Sequence, residues 1–297
     1  MQFKKKIIIL CLFFLICIFH FTQKIYSRNI IFSFWEPKDK MPGFLKLCIK
    51  TWEKFLPEYE IIILDYKTTK YYLGETLFSK IICKNMSLML QADAIRIAIL
   101  NKFGGIWMDA DTIILNKEFL KKFRNSDLAM VGDKKINFHY ISFISASKNS
   151  SILHKWLKQI IFNVKNYKNI LLNQKNTINW KNSWKKVNSW HYLGNGIIDP
   201  ILSNVTDEGF LCVDSNEINV FPEIKFFQNS SLHEFYLYRS FYFQNRDPTI
   251  ILNDTKGLIF LHNNWTPLVY KNMSEKDFLK QDILLSKLLL QLLNPKI

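Results

Sequence analysis

QADAIRIAILNKFGGIWMDADTIIL, residues Gln91–Leu115, places a helix, a stop and a strand in immediate succession. From Ser87 to Phe103 apolar residues recur at helical spacing, at Leu88, Leu90, Ala92, Ile95, Ile99 and Leu100. Gly104 and Gly105 then end the helix, since glycine accepts the left-handed backbone of a helix terminus. Ile106–Met108 reads as a short buried strand that runs into Asp109 and Asp111.

Working upstream, Asn29–Phe34 (NIIFSF) reads as a first strand ending at Trp35, Glu36 and Pro37, where the chain must turn. Gly43–Phe55 has a helical period and is stopped by Pro57, and Glu60–Leu64 (EIIIL) is a second buried strand with Asp65 at its carboxyl end. Strand, helix, strand, helix, strand predicts a mainly parallel, twisted sheet flanked by crossover helices. Ligands of such sheets sit beyond the carboxyl ends of the strands. Trp35, Asp65 and the pair Asp109 and Asp111 all fall at such ends, so three separate segments are expected to meet at one crevice.

The chemistry rests on that crevice. Two carboxylates one residue apart can present oxygen ligands to Mg²⁺ or Mn²⁺, which in turn bridge diphosphate oxygens. Two acidic residues in a turn are also commonly plain solvated charge, so their surroundings matter. Asp93 and Arg96 lie three apart on one face of an otherwise apolar helix. Buried charges need partners, which leaves two readings open: a mutual ion pair, or a pair oriented by a sugar.

The run ADAIRIAILNKFGGIWMDADT resembles the "SDxxRxxxLxxxGGxYxDxD" signature of the DxD-sugar-binding glycosyltransferases, a group that includes family 32 and the bacterial capsular polysaccharide synthesis proteins. The match is good over roughly residues 29–132 and looser beyond; Ala92 replaces a serine and Trp107 a tyrosine. The resemblance implies a GT-A-like α/β fold, a nucleotide-sugar donor, a glycan or lipid-linked acceptor and transfer with retention of configuration. It assigns Asp109 and Asp111 as the catalytic, metal-holding pair for Mn²⁺ or Mg²⁺. Asp93, Arg96, Gly104 and Gly105 become donor-binding residues, and Trp35 a candidate platform for the base. Leu258–Pro267 (LIFLHNNWTP) resembles the family's late His/Trp element, which nominates His262 as a further metal ligand.

Leu128–Val131 and His139–Ser145 read as further strands and Ser151–Val164 as a helix. Residues 163–188, rich in Asn and Lys and followed by Trp190, read as a surface insertion. His191–Leu202 (HYLGNGIIDPIL) offers Gly194, Asn195, Gly196 and Asp199 in a loop before a helix, a candidate acceptor-side loop in which Asp199 reads as a helix cap. From Ser274 a leucine-rich amphipathic helix is expected to reach Leu293, packed on the domain or on a membrane surface. Ile7–Phe21, behind Lys4–Lys6, reads as an uncleaved membrane anchor. The expected division is thus an anchor at 1–28, a catalytic domain at 29–273 and a terminal helix at 274–297. Lysines on both sides of the anchor leave its orientation undetermined.

A formal charge of +15 favours anionic partners such as nucleotide diphosphates and phospholipid headgroups. No Arg-rich helix or basic-aromatic signature supports nucleic-acid binding. The five cysteines include no CxxC pair, against a structural zinc site. Two rival functions fit these residues less well. A haloacid-dehalogenase-like phosphohydrolase needs D-x-D-x-T/V, whereas here Thr112 follows Asp111 directly and Ile113 occupies the place of that Thr, and the motif comes after two strand and helix units where that family's opens the domain. An anchored carbohydrate-binding protein without turnover is disfavoured by the intact Asp93, Arg96, Asp109 and Asp111.

Overall fold

The computed structural model describes residues 29–123, 126–133, 138–172, 191–205, 209–219, 233–254 and 256–294. The expected anchor and most of the Asn/Lys-rich insertion lie outside the described residues. Among the described residues no helix is long and apolar enough to cross a membrane.

The order of elements matches the expected alternation. Strand β1 (Ile30–Phe34) leads to helix α1 (Gly43–Phe55), then β2 (Glu60–Leu64), α2 (Tyr66–Leu73), α3 (Glu75–Ile81) and α4 (Leu88–Phe103). After α4 come β3 (Gly105–Met108), β4 (Thr112–Ile114), β5 (Leu128–Asp133), β6 (Phe138–Ala146) and α5 (Ser151–Leu172). Helix α6 (Asn195–Leu202), β7 (Phe210–Asp214), α7 (Glu234–Tyr242), β8 (Leu258–Phe260), α8 (Glu275–Leu279) and α9 (Leu284–Leu293) complete the main elements.

Six strands form one sheet in the order β2-β1-β3-β6-β5-β7. Pairings β1–β2, β1–β3 and β5–β7 are parallel, and β6 is antiparallel to both its neighbours. Five strands therefore run one way, as the alternation required, and β6 is the exception. A small antiparallel pair, β4–β8, stands beside the main sheet.

Alternation along the strands sends successive side chains to opposite faces, and each face has its own core. On one side Ile31, Met108, Val131 and Phe143 pack with α1, α7, α8 and α9. On the other Phe32, Trp107, Met130 and Ile144 pack with α2 to α6. The result is a three-layer α/β/α sandwich. Helix α4 is buried along most of its circumference, from Leu90 to Leu100, as expected of a helix apolar nearly all round. The Ser87 hydroxyl caps its start by accepting from Leu90 N–H, and Gly104 closes its end at φ +70°. A Cβ on Gly104 would lie 2.6 Å from the Lys148 amide nitrogen, so no other residue fits this turn without movement.

Three expectations change. The helix from Ser151 continues past Val164 to Leu172. His191–Leu202 is not a loop before a helix, because the helix itself begins at Asn195 and contains Asp199. The terminal helix is two helices, α8 and α9, with a break at 280–283. A continuous helix would place Gln281 and Asp282 one turn beyond the buried Phe278, on the core face. The break re-phases the chain so that Leu284, Leu285, Leu288 and Leu289 face inward instead. Both helices are part of the core that α1 shares.

Candidate functional site

The first three parallel strands end at one edge, where Trp35, Asp65 and Asp109 follow β1, β2 and β3. Trp35 N–H donates to the Leu64 carbonyl at 2.9 Å, and Tyr66 N–H donates to Glu36 Oε2 at 2.7 Å, so the two crossover loops are tied together there. Asp65 is used locally. Its carboxylate caps α2 through the N–H and hydroxyl of Thr68, and these bonds hold its pKa below the ordinary carboxylate value.

Arg96 is the hub of the site. Its Nη2 lies 3.3 Å from Asp93 Oδ1 and 3.0 Å from Asp109 Oδ1, and its Nη1 donates to the Ile141 carbonyl. The guanidinium stands over the Trp107 ring, 5.2 Å from its centroid, and Trp107 Nε1–H donates to Asp109 Oδ1 at 2.8 Å. The planar fork of arginine can span three partners in this way where a lysine could not. The mutual ion pair of Asp93 and Arg96 is present, and it also reaches Asp109.

The carbonyl that receives Arg96 belongs to an irregularity in β6. Between the pairs Met130↔Ile144 and Val131↔Tyr140, residues Ile141, Ser142 and Phe143 have no counterpart on β5. In this stretch the Ile141 carbonyl accepts from Arg96, while Ser142 O accepts the Asp109 N–H at 2.9 Å in continuation of the β3–β6 ladder. Bulges recur beside functional sites because they re-aim backbone groups in this way.

Asp111 is anchored from the far end of the sequence. Its carboxylate accepts the Asn263 N–H at 2.9 Å and its carbonyl accepts the Leu261 N–H at 3.0 Å, as an extension of the β4–β8 ladder. His262, between those two donors, is therefore brought to the acidic loop. Its ring packs on Trp265 with centroids 4.0 Å apart and edge-on against Tyr238 at 5.6 Å. Although the residue remains accessible to solvent, burial of the ring among these aromatics lowers the pKa of its imidazole, which favours the neutral form.

Burial pushes Asp93 up to about 7, with Arg96 opposing and the Asp109 charge adding to the rise. Asp111 is also pushed up to about 7, first by burial and then by the charge of Asp109, against the Asn263 N–H. Arg96 is already shared by Asp93 and Asp109, so Asp111 carries a charge with little compensation. Asp109 keeps 33% of its side chain exposed, toward the open edge. Among the described residues no group of three His, Cys, Asp or Glu side chains is gathered as a metal set. Two carboxylates with excess negative charge still fit Mg²⁺ or Mn²⁺, which are commonly held by one or two carboxylates with substrate phosphates and water completing the shell.

Two cations near this loop carry no local sequence signal. Lys271 senses the charge of Asp111, while burial and the neighbouring Arg239 lower the pKa of its amine. Arg239 donates through Nε to the Trp265 carbonyl at 2.7 Å and stands over the Phe235 ring at 4.1 Å. Only the fold brings α7 and the segment after β8 to Asp111. Of the other nominated residues, Trp35 is half-buried at the correct edge. Gly104 and Gly105 are not brought to the site: Gly104 closes α4 and Gly105 begins β3, at the end opposite Asp109, and both serve the helix-to-strand turn.

The family model of capsular polysaccharide synthesis proteins matches residues 16–192. The chain belongs to the capsular polysaccharide synthesis protein family. That match covers more than half of the chain and extends beyond the segment whose motifs were legible. No curated protein matches it. Similar solved structures include the PaToxG glycosyltransferase, at 17% identity over 63% of this chain and 78% of that one, with a TM-score of 0.35. The galactosyltransferase LgtC, solved with donor and acceptor sugar analogues, is similar at 13% identity over 81% and 92%, with a TM-score of 0.39. The glycosyltransferase GlyE of Streptococcus pneumoniae is similar at 10% identity over 84% and 62%, with a TM-score of 0.39. At these scores the likeness is remote. Membership of the family places this chain among enzymes of capsular polysaccharide synthesis.

Proposed function

We propose that this capsular synthesis family member transfers a sugar, with retention of configuration, from a nucleotide-sugar donor to a glycan or lipid-linked acceptor. The observation that carries the reading is the arrangement of Asp93, Arg96, Asp109 and Asp111: one arginine shared by two carboxylates, beside a third carboxylate left with excess charge. Asp109 and Asp111 would hold Mn²⁺ or Mg²⁺, and His262, whose chain neighbours bond to Asp111, is a candidate further ligand once an ion draws the three together. Such an ion, when bound, supplies charge stabilisation to a departing nucleoside diphosphate.

The residues of the chain supply the rest. Lys271, which senses the charge of Asp111, and the neighbouring Arg239 add positive charge to which a diphosphate would be attracted. Asp93 is paired with Arg96 and nearly buried; a hydrogen bond from a donor-sugar hydroxyl to it would be stronger than in water. Trp35 offers an aromatic face at the same edge for a base. The membrane is the expected partner of the N-terminal segment.

A panel of nucleotide sugars assayed for Mn²⁺-dependent hydrolysis, with EDTA as the control, tests the reading. Cleavage of at least one donor that stops in EDTA supports it; cleavage undiminished by EDTA, or none with any donor, contradicts it. NMR of the first-formed product tests retention, and an inverted anomeric centre contradicts that part.

A further inference from the structure

Helix α6 carries a second polar cluster that the donor-side residues leave unused. His139, buried on β6, meets Asp199 of α6 with Nδ1 and Oδ1 2.9 Å apart. Asn195, in the first turn of α6, donates through Nδ2 to the His139 carbonyl at 2.7 Å and lies 3.5 Å from Asp199 Oδ2. The His139 ring is held edge-on against Phe210 at 5.5 Å, and its side chain is 4% exposed. Asp199 is different, with 29% of its side chain open to solvent. A buried imidazole thus fixes one oxygen of a part-exposed carboxylate, while the other takes only a long 3.5 Å bond from Asn195 and, as a carboxylate oxygen, has capacity for a further donor.

The placement of the cluster gives it meaning. Helix α6 starts at the donor side: a Cβ on Gly194, which precedes it, would stand 3.2 Å from Asp93 Oδ2 and 2.7 Å from Ile141 Cδ1. From Gly194 to Asp199 the helix advances by about 7.5 Å, a distance that a sugar unit with its exocyclic hydroxyl groups can span. His139 is two residues from Ile141, whose carbonyl holds Arg96. β1, β2 and β3 provide the edge for the donor, and the β6–β5 side provides the adjoining wall where Asp199 stands.

We propose that Asp199 binds hydroxyl groups of the acceptor sugar and that His139 is the positioning residue that fixes its carboxylate. The inference rests on the sugar-transfer reading. A fixed carboxylate accepts hydrogen bonds from neighbouring hydroxyls and repels anions, so the acceptor unit at this position is a neutral sugar and not a phosphate or a uronic acid. Asn195 locks the start of α6 to β6 and keeps the carboxylate at a constant distance from Asp93.

The test uses the full chain, a donor selected by hydrolysis and a panel of neutral methyl hexosides as acceptors, with methyl hexuronides for comparison. Asp199→Asn is expected to raise the KM for the best neutral hexoside at least tenfold, with kcat changed less than threefold and the melting temperature unchanged. His139→Gln is expected to raise the same KM by a smaller factor, and Asp199→Glu to recover part of the loss. Should Asp199→Asn fail to fold, Asp199→Glu carries the same KM-against-kcat expectation relative to wild type. An unchanged acceptor KM in a folded variant, loss that follows only a lower melting temperature, or preference for hexuronides over hexosides overturns the proposal. Absence of donor cleavage by the wild type would instead overturn sugar transfer, so the two failures are distinguishable.

Discussion

Asp111 Oδ2 accepts a hydrogen bond from the Asn263 N–H at 2.9 Å, across 152 residues of chain. The bond closes the acidic loop onto the tail of β8 and brings His262, Trp265 and Lys271 to a motif that ends at residue 111. The acidic cluster is therefore built from segments far apart in the chain.

Replacing either carboxylate of the loop should abolish most turnover without unfolding the chain. Asp109→Asn and Asp111→Asn are each expected to cut donor cleavage by about a hundredfold or more, since the charge stabilisation at stake is several kcal/mol. Both residues are partly open to solvent, so folding should survive. Steady-state rates together with circular dichroism check this; near-normal rates in either variant would contradict the role.

Arg96→Lys keeps a charge and loses the fork. Lysine cannot reach Asp93, Asp109 and the Ile141 carbonyl together, so a buried acceptor is left unsatisfied at a cost of about 1–3 kcal/mol. Chemical denaturation should show that loss, and donor affinity should fall with it. A variant as stable as wild type with unchanged donor affinity would remove Arg96 from the centre of the site.

Stability should respond to pH through Asp111. Its pKa in the folded chain is raised to about 7, so the native state holds a proton that the unfolded chain has released. The resulting stability is present below the ordinary carboxylate range and is lost as pH rises through about 7. A bound cation requires the ionised form, so the rise in melting temperature produced by Mn²⁺ should be larger at pH 8 than at pH 6. Thermal melts with and without metal measure it; an equal or smaller rise at pH 8 would contradict the assignment.

His262→Ala should weaken the apparent Mn²⁺ affinity severalfold. The stack of His262 on Trp265 is at a solvent-accessible position, so the metal-free melting temperature should move little. Unchanged metal dependence, read from activity against Mn²⁺ concentration, would return His262 to an aromatic packing role.

The acidic cluster and the elements that carry it were legible because their signals are local. Helix α4, the glycine stop, β3 and the two aspartates lie within one contiguous stretch, and the direction of β1, β2 and β3 follows from their crossover helices. The wall opposite was not legible. Gly196 and Pro200 punctuate His191–Leu202 like a loop, yet the segment is helical because Ile197, Ile198 and Leu202 bury against α5 and the sheet. The β6 bulge leaves no mark in HYISFIS, since its register depends on the pairing with β5. Arg239 and Lys271 sit in segments without a motif, and only the β4–β8 ladder brings Lys271 toward Asp111. Gly104 and Gly105 show the converse: a motif position can be demanded by a turn rather than by a ligand.

The central claim is that Asp109 and Asp111 hold a divalent cation for a nucleoside diphosphate, and electron paramagnetic resonance of Mn²⁺ tests it most directly. With a panel of nucleoside diphosphates, the free Mn²⁺ signal should fall on adding wild-type protein and at least one diphosphate. The same additions with Asp109→Asn or Asp111→Asn should leave the signal as it is without protein. Equal Mn²⁺ binding by wild type and both variants, or no binding by wild type with any nucleoside diphosphate, would contradict the account.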